Sequence, residues 1–91
     1  MDISEIKTRL NRLADELASV EHERWAHWQR YMHDQGERLS DGSLLIPAEL
    51  VNRWESQIAR PYSKLEENEK ASDREQVRRY LPLIVQALTS D

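Results

Sequence analysis

Residues 3–20 read ISEIKTRLNRLADELASV, and the spacing of their apolar side chains decides the fold. Ile3, Ile6, Leu10, Leu13, Leu17 and Val20 follow one another in steps of 3, 4, 3, 4 and 3. That is a heptad seam, the periodicity of a helix whose one narrow stripe is apolar. Asp2 can cap such a helix, with Glu5 three residues on as in a capping box. Charged residues fill the other faces. A two-in-seven stripe is narrower than the apolar face of most globular helices. It suits a helix-pair or coiled-coil contact between subunits, or packing against later helices of the same chain.

Beyond Val20 the seam meets Arg24, and Trp25, Trp28 and Met32 take over, with Tyr31 alongside. The helix is expected to run on to Gln35 and to stop at Gly36. Such a helix of about 30 residues would be about 45 Å long, more than a small globule needs. An N-terminal association arm is the expectation.

The rest of the chain predicts shorter helices. Glu37 to Ile46 reads as a loop, with Asp41-Gly42 as a turn signal. Pro47 suits the first turn of a second helix carrying Leu50, Val51, Trp54 and Ile58. Pro61 ends it. Ser63 to Glu66 could open a short helical turn, and Ser72 to Glu75 could open the last helix. The stripe of that helix is Val77, Tyr80, Leu81, Ile84, Val85 and Leu88, and Pro82 inside it should kink or divide the helix near Tyr80. The fold class expected is all-α: a long N-terminal helix plus two to three shorter ones, oligomerising through the N-terminal seam.

Composition narrows the functions. The chain has 91 residues, 33% of them charged, with a net charge of −4. A single domain of this size buries only about 60–65% of its unfolded surface, and such chains often gain stability by association. A homo-oligomer is expected. The acidic balance argues against DNA or RNA as main partner, because phosphate binding wants a basic surface. There is no cysteine, so neither a disulfide framework nor thiolate chemistry arises. No apolar run approaches membrane-spanning length, and a cytoplasmic protein with no membrane partner is expected.

The stretch HERWAHW, residues 22–28, concentrates chemistry-bearing side chains. A zinc-protease helix needs histidines four apart. His22 and His27 are five apart and point about 140° away from each other around a helix. That spacing is no metal site. No Gly-x-Ser-x-Gly turn and no phosphate-cradling glycine loop is present, so no enzyme activity and no cofactor are expected. His22, Trp25 and Gln29 share one side of the helix, with Trp28 and Met32 beside Trp25. This face is either core or the wall of a cleft that stacks a planar ring.

One ordered set of motifs adds to this. His22-x-x-Trp25, then Pro61-Tyr62-x-x-Leu65, then Glu69-Lys70 and Asp73-Arg74 ahead of an apolar helix resembles the ryanodine-receptor repeat (RyR) domain. The resemblance runs from residue 21 to about residue 85, which divides the chain into an arm at 1–20 and an RyR-like helical domain at 21–91. The family's Gly-Trp-x-Tyr-Gly segment is replaced by GERLSDGSLLIPAEL, residues 36–50. The resemblance implies a non-enzymatic module for a nucleotide-type small molecule, one that could sequester a signalling nucleotide as phage counter-defence proteins do. The residues it implies are His22, Trp25, Tyr62, Lys64, Lys70 and Arg74. A base would stack on Trp25 or Tyr62, and a phosphate would meet Arg74, Lys70 or Lys64. The alternative function is a helical oligomerisation or protein-interaction protein with no small ligand.

Overall fold

The computed structural model describes residues 1–90. It is almost entirely helical: α1 (Ile3–Asn11), α2 (Ala14–Gln35), α3 (Ala48–Ala59) and α4 (Glu67–Thr89), with a two-stranded hairpin of β1 (Glu37–Arg38) and β2 (Leu44–Leu45). The all-α expectation holds, with this small hairpin added. The long N-terminal helix does not. The helix breaks at Arg12 and Leu13, and the longest helix is the C-terminal α4, at 23 residues.

The break has a tertiary cause. Asp2 caps α1 through the Glu5 N–H, as its position suggests. Arg9, one turn before the break, reaches across the chain and donates to the carbonyls of Ala87 (3.2 Å) and Ser90 at the end of α4. These last-turn carbonyls have no partner within their own helix. Leu13 sits at the bend itself and is buried, with Ile6, Leu10, Leu17 and Val20 half-buried along the same seam. The seam thus faces α4 of its own chain. The bend lets α1 and α2 follow α4 antiparallel along its length, from Arg9 beside Ala87 to Glu21 beside Tyr80.

Glu37 pairs with Leu45 and Arg38 with Leu44, so the stretch expected as a loop is a hairpin. Its turn is made by Asp41, whose carboxylate accepts from the Ser43 N–H, and by Gly42 at φ +92°. A side chain there would be strained, which is why the turn uses glycine. Gly36 ends α2 in an extended conformation. A Cβ at Gly36 would lie 3.3 Å from the Leu44 Cβ, so glycine there gives the hairpin room to fold back.

α3 falls where Pro47 and Pro61 place it, and its Leu50 is buried. α4 begins earlier than expected. Its cap is Glu66, which with Glu69 forms a reciprocal capping box, and Ser72 lies inside the helix. Nor does Pro82 divide it: α4 continues through Thr89. Pro82 is exposed, and its missing N–H costs the helix one hydrogen bond to the Arg78 carbonyl.

The resulting body is thin. Its extents are 56 × 33 × 17 Å and its radius of gyration is 18.2 Å, where a compact chain of this length has about 12 Å. Leu13 and Leu50 are the buried apolar residues among those described.

Candidate functional site

The six residues singled out by sequence separate into two groups. On α2, His22 stacks on Trp25 with ring centroids 5.9 Å apart and planes 23° apart. A spacing of three residues places both on one side of the helix. This side does not face α4, and Trp25 is 54% exposed. At the start of α4, Tyr62, Lys70 and Arg74 come together. The Tyr62 hydroxyl accepts from Arg74 Nη1 at 3.2 Å, and Lys70 Nζ lies 5.8 Å from the Tyr62 ring centroid. Lys70 and Arg74 are one turn apart on α4, and the single 3-10 turn Tyr62–Lys64 presents the phenol to both. Lys64 is exposed on that turn. No ring stacking, hydrogen bond or shared cleft joins the two groups among the described residues.

Arg74 is not free for an anion. It donates to Glu67 as well as to Tyr62, and these bonds raise its pKa. The Glu67 carboxyl is held below the usual carboxylate range by Arg74. Other cations are similarly occupied: Arg24 on Glu21, Arg79 on Glu23, Arg78 on Glu75 at 3.7 Å and Arg60 on Glu66 at 3.8 Å.

A cleft of about 670 Å³ does lie between α2 and α4, but its walls are different residues. Its aromatic side is Trp28 and Tyr31, stacked at 5.4 Å, with Trp54 of α3 edge-on to Trp28 at 5.6 Å and 67°. Its polar side is His27, Glu69 and Asp73, and Arg24 at the rim is taken by Glu21. Two carboxylates beside one compensated guanidinium repel an anionic ligand. The sequence held a signal for this wall. Continuing the seam through Arg24 in alternating steps leads to His27 and Tyr31, with Trp28 beside them, and all three line the cleft with α4.

No family model, curated protein or solved structure matches the chain.

Glu21 ties α2 to α4. Its carboxylate accepts from Arg24 and from the Tyr80 hydroxyl. These bonds, Arg24 first, lower its pKa from 4.5 to about 2. Tyr80 is raised in turn, because ionising it would set two anions together. A carboxyl depressed in the folded state stabilises the fold above its unfolded pKa of 4.5 and loses that effect as pH falls toward about 2. Glu21→Gln is therefore expected to be less stable than wild type near neutrality, with the difference closing between pH 4.5 and about 2. Chemical denaturation across that range checks it, and a pH-independent gap would refute the assignment. Glu21 is exposed, so the effect is small.

Proposed function

We propose that this chain is a helical interaction module that works in an assembled form, with no catalytic role. The observation that carries the reading is its surface. The chain exposes 7399 Å², where a compact monomer of its 10.8 kDa mass exposes about 5,500 Å². Large apolar side chains stand on that surface, including Trp25, Leu45, Val77, Leu81 and Val85. Exposed apolar surface of this extent marks an interaction site. The paired cations and acidic cleft favour this reading over an anion-binding one. No helix among the described residues is long and apolar enough to cross a membrane.

Small-angle scattering tests it. Extended or assembled chains are expected, with strong binding of a hydrophobic dye once copies are separated. A compact, dye-silent monomer with a radius of gyration near 12 Å would overturn the reading.

A second reading has one observation in its favour, the gathering of Tyr62, Lys70 and Arg74. Two cations on a half-exposed phenol could hold a nucleotide-type molecule, the base stacking on Tyr62 for about 1–3 kcal/mol. Arg74 would then exchange Glu67 for phosphate. Sequestration of a signalling nucleotide, as the RyR resemblance implies, is the form this would take. A thermal-shift panel of mono-, di- and cyclic nucleotides decides it. A ligand at a hundredfold excess over its Kd should stabilise the fold by about 2.7 kcal/mol, and Arg74→Ala should abolish the shift. A flat panel on folded protein excludes this reading.

A further inference from the structure

We infer that α4 carries a dimer interface, and that its occupant is α4 of a second copy of this chain. The inference rests on the interaction-module reading and names its partner and face.

α4 is apolar on two sides. Tyr80, Leu83 and Ala87 lie toward α1 and α2 and are half-buried against them. A second stripe lies about 100° further round the helix: Val77, Leu81, Ile84 and Leu88, spaced 4, 3 and 4, with Val85 beside them. This is heptad spacing again. Ile84 and Leu88 are half-buried, and the rest of the stripe stands open. Leu81 is 49% and Val85 57% exposed, and Val77 is exposed as well. Three branched aliphatic side chains on one helix face are thus left in water, and burying each would stabilise the chain.

Three observations select a second copy as the occupant. The first is area. The excess surface over a compact monomer is roughly 1,900 Å² per chain, and a standard stable interface needs about 800 Å² per partner. The chain as a whole therefore has surface enough for one such interface. The second is charge. From Tyr80 to Ser90 the helix has no charged residue. In a two-fold contact the same patch meets itself, residue i against j and j against i. A charged stripe would then set like against like, whereas this one sets only apolar and neutral side chains together. The chain's net charge of −4 lies elsewhere. The third is shape. α1 and α2 run antiparallel to α4, and the whole body is only 17 Å across in its thinnest direction. Two such bodies, packed α4 to α4, make the four-helix cross-section that shields both faces of α4.

The contact runs antiparallel, centred on the uncharged half of the helix near Ile84. The opposite centre, near Val77, would place the charged Arg74, Glu75 and Arg78 within the contact.

Light scattering and sedimentation equilibrium test this on the whole chain. Wild type is expected at twice the 10.8 kDa chain mass, with a thermal midpoint that rises with protein concentration. Leu81→Glu is expected to shift the population to monomer. Leu81→Ala, which keeps the helix propensity, should raise the dimer Kd roughly tenfold or more, the cost of truncating a central contact. Ile58→Glu alters an apolar residue that is 76% exposed on α3 and should leave the dimer unchanged. Should Leu81→Glu unfold, the Leu81→Ala shift in Kd still decides. A wild-type chain that is monomeric yet extended and dye-binding would overturn the second copy while leaving the interaction module standing. Oligomers as insensitive to Leu81→Ala as to Ile58→Glu would place the interface elsewhere and overturn the α4 face.

Discussion

Leu13→Ala is expected to lower the unfolding free energy by about 3 kcal/mol, as burial-removing leucine truncations do. Leu13 is buried at the bend between α1 and α2, the point where the seam turns to follow α4. Two effects add. The removed methyl groups lose their transfer free energy, and the bend cannot close over the cavity, because Arg9 pins α1 to the Ala87 and Ser90 carbonyls. Little else compensates, since Leu50 is the other buried apolar residue among those described. A chain of this length has about 5–13 kcal/mol in total, so a loss of this size should lower the thermal midpoint by more than about 10 °C. Calorimetry at one fixed protein concentration measures it, with the exposed Ile58→Ala as a control expected to change stability by no more than about 0.5 kcal/mol. A loss under about 1 kcal/mol would mean that α1 is not held against α4.

Much of this architecture was legible as periodicity. The 3-4 steps from Ile3 to Val20 specify a helix and its inner face, and Pro47 and Pro61 bracket α3 within a residue or two. What periodicity could not show is where a helix bends. Asn11 and Arg12 carry no glycine or proline signal, and the break follows from Arg9 meeting carbonyls some 80 residues away. Two-residue strands are too short for an alternating pattern to register, so Asp41-Gly42 pointed to a turn but not to the hairpin around it. At α4 two capping boxes competed. Ser72 with Glu75 has the better capping residue, yet Glu66 with Glu69 is the one used. The earlier start adds almost two turns of helix, and these bring Leu65, Asn68 and Glu69 against the cleft and Glu67 to Arg74. The candidate site divided for a related reason. Motif order placed His22 and Trp25 with Tyr62 and Arg74, but order along a chain does not specify which side of a helix faces its neighbour. Trp28 and Tyr31, one turn on, took the cleft instead.

Pro82→Ala is expected to stabilise the chain by about 2 kcal/mol. Proline in a helix interior costs about 3 kcal/mol relative to alanine, through the missing N–H and the clash with the preceding turn. Pro82 lies well inside α4, a full turn and more from Thr89, and is exposed. The packing against α1 and α2 therefore gains little from its ring. Against this, alanine restores chain entropy to the unfolded state, which returns about 0.4–1 kcal/mol. The balance remains favourable, and urea denaturation should show it as a higher midpoint with an unchanged slope. The sign of the result bears on the interface as well. Pro82 adjoins Leu81, so its ring lies beside the contact a second α4 would make. If α4 meets another copy through Leu81 and Ile84, the substitution should stabilise the helix while weakening the dimer. Sedimentation of Pro82→Ala would then show more monomer than wild type at equal concentration. A gain in stability with unchanged dimerisation would mean that the proline does not shape the contact. A loss of stability would mean that the proline is required by packing of α4 on its own chain.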